Sequence, residues 1–348
     1  MTLQSESLAN IDTPAITLPA DQYAHVNAPT EWWWHVGTLK SADGRQFGFE
    51  INATGMQAAG YAFAQIEITD IENQCNYQKV QPTAFSETWA EYDNTKPWFV
   101  KLPGQNGDGA ISMSAIDNNP LNMSVQATFT DISGTHCALD LRLQQKGEPL
   151  LVWGTGCKLV NPDGTSPITQ NNYYYSLTHL QASGSITIGS EVIEVTGLTW
   201  MDHEYGAFPS ASPGAPVIWL LQDIQLENDL HLSNFTKFGV IPQEGVPMPS
   251  KVTLLYNGES VFLDAVTTPL APTYVSDKNI TYFMRFLIEV KDSPISFVVN
   301  SLYPKQVFID EGPDVYEGVA QAEMIVNLTQ KSKIVISTGT AWIEQNLG

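Results

Sequence analysis

Apolar and polar residues alternate with a period of two along much of the chain, the spacing that sends successive side chains to opposite faces of a β-strand. In YAFAQIEITD, Tyr61, Phe63, Gln65, Glu67 and Thr69 share one face, and Ala62, Ala64, Ile66 and Ile68 the other. CALDLRLQQ sets Cys137, Leu139, Leu141 and Leu143 against Asp140 and Arg142. Asn257-Gly258 between two apolar runs predicts a tight hairpin, and SITIGSEVIEV predicts another turning at Gly189-Ser190. Helical periodicity is scarce, and residues 81–98 read as a long loop with one helical turn in FSETWAEY. Roughly ten or more strands are expected before residue 212 and about eight after it, more than one eight-stranded barrel holds. The pattern predicts an all-β protein built as a sandwich or barrel. The Pro-, Gly- and Ser-rich GAFPSASPGAP, Gly206 to Pro216, is the best boundary.

Composition narrows the partners. Asp and Glu number 37 against 16 Lys and Arg, a net charge of −21. Such a chain repels phosphate backbones and anionic lipid, so no nucleic-acid partner and no stable membrane insertion are expected. The three cysteines, Cys75, Cys137 and Cys157, are far apart and form no CxxC, which fits a reducing, cytoplasmic setting. No basic, then apolar, leader opens the sequence, and no run of about 18 apolar residues suggests a span.

Two segments carry candidate chemistry. In GLTWMDHEYGAF, an extended backbone projects Trp200, Asp202 and Glu204 to one side and Met201, His203 and Tyr205 to the other. Two carboxyls one strand repeat apart, beside an indole, become a proton-transfer site if that side is apolar. Desolvation raises at least one carboxyl pKa, and repulsion separates the two. The plainer reading has both acids bonding backbone N–H groups at a strand end. In EWWWH, Glu31, Trp33 and His35 share a side, and Trp32 and Trp34 the other. Indole faces bind apolar ligands and stabilise cations; they also simply fill barrel ends and domain junctions. NNYYYSLTHL repeats the theme, with Tyr173 and Tyr175 opposite Tyr174. The six histidines include no HExxH and no H-x-H, so no metal is expected, although His25, His35 and His203 could converge in space. The chain has no GxSxG elbow, P-loop or strand–GxGxxG–helix signal, and no cofactor is expected.

Three stretches resemble the AttH/CrtC-like family, which includes carotenoid 1,2-hydratases and is related to kievitone-hydratase-like proteins and fungal two-barrel Diels–Alderases. They are EWWWHVGTLKSADGRQFGFEI, TWMDHEYGAF, and the C-terminal YEGVAQAE with GTAWIEQ. The resemblance implies two lipocalin-like antiparallel β-barrels in one chain, residues 1–212 and 213–348, enclosing a hydrophobic pocket. It implies acid chemistry at Asp202, with Trp200 and Tyr175 as aromatic partners and with Glu204 and His203 in the same motif. The expected site is therefore Asp202, Glu204 and His203 as catalytic groups, and Glu31, Trp32, Trp34, Tyr173, Tyr175 and Trp200 around the substrate. The expected activity is acid-assisted hydration or cyclisation of a carbon–carbon double bond in a small hydrophobic, isoprenoid or polyketide-like molecule. A pericyclase that only folds its substrate and a non-catalytic carrier are the alternatives.

Overall fold

The alternating segments form twenty strands in a computed structural model that describes residues 15–158, 167–208, 218–236, 239–309, 314–329 and 332–347. Twelve belong to one sheet: β1 (Thr30–Ser41), β2 (Gln46–Met56), β3 (Tyr61–Asp70), β4 (Cys75–Ala84), β5 (Phe99–Leu102), β6 (Ala110–Ile116), β7 (Asn119–Thr130), β8 (His136–Gln145), the short β9 (Leu150–Leu151) and β10 (Cys157–Lys158), β11 (Asn172–Ile188) and β12 (Glu191–Gly206). Their order is β4-β3-β2-β1-β12-β11-β8-β7-β6-β5, with β9 and β10 on β11. The sheet curls into a nearly closed barrel, and the Lys79–Asp108 ion pair (3.2 Å) ties β4 to the β5–β6 turn. Eight strands close a second barrel: β13 (Trp219–Leu226), β14 (His231–Thr236), β15 (Met248–Tyr256), β16 (Glu259–Val275), β17 (Thr281–Val290), β18 (Ile295–Ser301), β19 (Val315–Thr329) and β20 (Ser332–Asn346).

The two predicted hairpins are present. Tyr256 pairs with Glu259 across Asn257 and Gly258, both at positive φ as a two-residue turn between twisted strands requires. Ile188 pairs with Glu191 across Gly189-Ser190. FSETWAEY departs from expectation: it forms no helical turn, and Ala90 instead bridges to Val100. Trp89 is buried here, edge-on to Trp33 at 5.5 Å, and that packing outweighs local helix preference. The boundary expected at residue 212, and most of Gly206–Pro216, lie outside the described residues. No helix among the described residues is long and apolar enough to cross a membrane.

Each barrel has its own apolar interior. Trp33, Phe47, Phe49, Phe129 and Tyr175 fill the first, and Ile224, Leu232, Phe286, Phe297 and Ile343 the second. A third cluster of Val36, Tyr174, Trp200, Val319 and Trp342, with Trp34 against it, joins the two along a seam. The seam explains why β3 is buried on both faces, against the half-wet strand its alternation suggests. At Gly48 of β2 a Cβ would lie 2.6 Å from Val319 Cβ, so only glycine permits this approach. Gln225 of β13 also crosses the seam, donating to the carbonyls of Thr178 (2.6 Å) and Thr199 (2.9 Å).

Candidate active site

The two faces of β12 lead to two different places. Trp200, Asp202 and Glu204 turn to the seam; Met201, His203 and Tyr205 turn into the first barrel. β1 and β11 flank β12 in register. Trp34 and Ser176 stand opposite Asp202, and Trp32 and Tyr174 opposite Glu204.

Asp202 is 1% exposed and accepts from Ser176 Oγ at 2.5 Å and Trp200 Nε1 at 2.7 Å through Oδ1. Burial pushes it up to about 6, against the pull of bonds from Ser176, Trp200 and Tyr174. Its remaining neighbour is Asp223 of β13, a buried carboxyl of the second barrel that lies close enough across the seam for the two to perturb each other, with its Oδ1 lacking any hydrogen-bond partner. Burial, and then the Asp202 charge, push Asp223 well above the ordinary carboxylate range. Two facing carboxyls out of water hold one proton between them and titrate as a unit. Glu204 accepts from Asn172 Nδ2 at 2.7 Å; burial pushes it up to about 8, so it is neutral at pH 7.

More acids continue the row. Glu50 of β2 stands opposite Glu67 of β3, and Glu317 of β19 opposite Glu344 of β20. Like charges directly opposite on neighbouring strands repel, and all four are buried. Burial pushes Glu67 up to about 8 and the other three well above the usual range. Two of the four are held by indoles: Trp342 Nε1 donates to Glu317 Oε2 at 2.8 Å and Trp219 Nε1 donates to Glu344. Thr69 Oγ1 donates to Glu67 at 3.0 Å, whereas both Glu50 oxygens and the nearby Trp34 Nε1 have no hydrogen-bond partner. The seam is thus lined by mostly neutral carboxylic acids and tryptophan edges.

A hollow of about 10 Å³ lies among Val36, Trp200, Asp223 and Trp342. Thr38, Gln225 and Thr340 line both this hollow and a groove of about 440 Å³ that runs along the seam to the surface.

The interior face carries a separate network. Glu31, with no exposure, accepts from the His25 backbone N (2.9 Å), His25 Nδ1 (2.7 Å) and His203 Nε2 (3.0 Å). Burial opposes charge on His25, but Glu31 and Asp21 raise it to about 9; that cation in turn holds Glu31 below the ordinary range despite burial. Tyr175 Oη meets His203 Nδ1 at 3.1 Å and also Gln22, while Tyr173 stacks on Tyr205 at 4.9 Å. His25, Glu31 and His203 are close enough to share a metal ion. At 2.7 and 3.0 Å, however, their atoms are at hydrogen-bond separations and already satisfy one another. His35 does not join them; it is buried, and burial lowers it to about 3.

Of the nine expected site residues, the seam therefore gathers Asp202, Glu204, Trp32, Trp34 and Trp200, and the first interior gathers Glu31, His203, Tyr173 and Tyr175. Tyr175 is not the aromatic partner of Asp202. Strand parity turns it to His203, and Tyr174 takes that place. Trp32 sits at the seam's outer end, edge-on to Phe208 at 5.4 Å. Sequence reasoning missed Asp223, Glu50, Glu67, Trp342, Glu317 and Glu344. A signal was present: Glu50 and Glu67 interrupt apolar strands, and Glu317 and Glu344 stand inside the C-terminal motifs.

Comparison with known proteins agrees with this architecture. A protein from Nitrosomonas europaea assigned to AttH superposes with a TM-score of 0.74 at 18% identity, over 96% of this chain and 97% of its own. Kievitone hydratase from Nectria haematococca gives 0.71 at 14% identity, over 98% and 96%. CghA, solved with Sch210972, is more remote, at 0.47 and 11% identity over 91% and 88%. No curated protein matches the chain. The model of the AttH-like family matches residues 10–345, and the chain belongs to that family.

Proposed function

We propose that this chain is an enzyme that protonates a carbon–carbon double bond of a hydrophobic, isoprenoid or polyketide-like substrate, with Asp202 and Asp223 as its shared acid. The observation that carries this reading is the pair itself: two carboxyls from different barrels, dry, facing each other among indoles. An alkene offers no handle except its π electrons, so its activation needs a strong proton donor away from water. The likeness to a protein named kievitone hydratase supports the same class of reaction.

In the proposed cycle the substrate enters by the seam groove, whose volume suits a small molecule. The acid pair delivers its proton to one alkene carbon and is left doubly ionised. The other carbon becomes cationic, and the faces of Trp34, Trp200 and Trp342 stabilise it by about 2 kcal/mol or more each when dry. In hydration, water attacks the cation and its surplus proton returns to the pair. In cyclisation, an internal alkene attacks and loss of a neighbouring proton restores the acid. Trp32 shelters the outer end, and neutral Glu204 donates to the substrate or to water. His203, Glu31, Tyr173 and Tyr175 act from behind by holding β1, β11 and β12 in place. Acid catalysis of this kind supplies roughly 10²–10⁴-fold.

The test is incubation with a panel of acyclic isoprenoid and polyene alkenes in D₂O and in H₂¹⁸O. Carbon-bound deuterium in the product, with ¹⁸O for hydration, is expected from the native protein and near-complete loss from Asp202→Asn. Turnover that survives Asp202→Asn without deuterium incorporation points to pericyclic chemistry. Tight binding without turnover points to a carrier.

A further inference from the structure

A second cluster lies on the other side of Gln225, where the bulge of β11 meets the β13–β14 turn. The β11–β12 register slips between Leu177 and Leu180, so Thr178 and His179 sit in a β-bulge. Bulges re-aim side chains, and this one places His179 against the second barrel. Its ring stacks on that of His231, the first residue of β14, with centroids 5.5 Å apart and planes 25° apart. Asp229, at φ +65 in the intervening turn, sets its carboxylate between them. Asp229 Oδ1 is 3.3 Å from His179 Nδ1 and 3.8 Å from His231 Nε2.

The two nitrogens of His231 are treated differently. Nδ1 is hydrogen-bonded to Thr178 Oγ1 at 2.7 Å. Nε2 is buried, in a residue only 3% exposed, and has no hydrogen-bond partner although it is aimed at Asp229 and His179. A buried imidazole nitrogen normally finds a partner. Metal-ligating histidines commonly have one nitrogen fixed by a neighbour so that the other faces the ion. Bonds of about 2.0–2.1 Å at tetrahedral or octahedral angles separate neighbouring ligand atoms by roughly 3–3.5 Å, close to the spacing found here. The His25–Glu31–His203 cluster, by contrast, has the tighter spacing of a completed hydrogen-bond network.

We propose that His179, Asp229 and His231 form a site for one zinc ion, with solvent completing the coordination, that clips the first barrel to the second. Two imidazoles and a carboxylate suit a borderline divalent ion better than calcium or magnesium, which prefer all-oxygen sites. The exposed carboxylate gives the ion a way in. The turn begins at Glu227, on the wall of the seam groove, so the ion would steady one edge of that groove.

The test is calorimetric titration of chelator-treated full-length protein with ZnCl₂, alongside visible spectra with Co²⁺. One saturable site per chain is expected, with d–d bands from imidazole-bound cobalt and a melting temperature that rises with zinc. His179→Ala and Asp229→Gly should each weaken zinc at least tenfold. Both positions are at least partly exposed, and glycine tolerates the positive φ of residue 229, so the fold should survive, which circular dichroism checks. Absence of saturable binding, or affinity unchanged in the doubly substituted protein, overturns the proposal.

Discussion

Asp202 of the first barrel and Asp223 of the second face each other across the seam, both buried, and the Asp202 charge raises the cost of ionising Asp223. Neither barrel alone contains the pair. Its proton is held because ionising both groups would leave two negative charges together out of water.

If the pair acts as one acid, both members matter, and they differ in kind. Asp202→Asn and Asp223→Asn should each lower turnover by about 10²-fold or more. Asp223→Asn should also move the alkaline limb of the pH–rate profile to lower pH, because the acid must be protonated to act and Asp223, the carboxyl held well above the ordinary range, would be gone. Steady-state rates from pH 4 to 9 check both; an unmoved limb would mean the two carboxyls act independently.

Trp200→Phe keeps an aromatic ring but removes the Nε1–H that donates to Asp202 at 2.7 Å. That bond favours the ionised carboxylate, so its loss should raise the pKa of the pair by about one unit, as expected for a hydrogen bond to a charge of about 1.5–3 kcal/mol in gross strength. Infrared titration of the carboxyl bands, compared with the native protein, reads the shift.

Stability should fall on the alkaline side. Glu204 and Glu67 rise from 4.5 to about 8 on folding, and His25 rises from 6.5 to about 9. Raised folded-state values contribute stability that is complete below the unfolded pKa and lost as pH climbs through the folded one. His35, lowered to about 3, acts between pH 3 and 6.5 and does not oppose this. Calorimetry should therefore show a melting temperature on the order of 5 °C lower at pH 8.5 than at pH 6, with a shallower decline in Glu204→Gln.

Gly48→Ala should strain the seam directly. The added Cβ has Val319 Cβ at 2.6 Å, so a strand must shift, at a cost of about 1–3 kcal/mol. Urea unfolding measures the loss, and a matched loss of catalytic rate would tie seam geometry to the reaction.

His25→Ala would leave Glu31 buried without its cation, a loss of roughly 3 kcal/mol. Adding Glu31→Gln should recover part of it, and a double-mutant cycle in denaturant measures the coupling.

Much of this molecule is legible in one dimension. Strand parity follows from backbone geometry alone, so Trp200, Asp202 and Glu204 could be sorted from Met201, His203 and Tyr205 without coordinates. Asn257-Gly258 and Gly189-Ser190 mark their turns because few residues accept those backbone angles. What parity cannot say is what lies beyond each face. A strand covered on both sides, such as β3, carries the same kind of alternation as one that is half wet, and Glu67 reads as a solvent residue until the second barrel covers it. The partner of Asp202 lies on another barrel's strand, and no local spacing announces it. The choice of Tyr174 over Tyr175 likewise turned on which side of β11 met the seam. Proton affinity depends on everything that displaces water from a carboxyl, and here the displacing groups are brought together only when one barrel docks on the other.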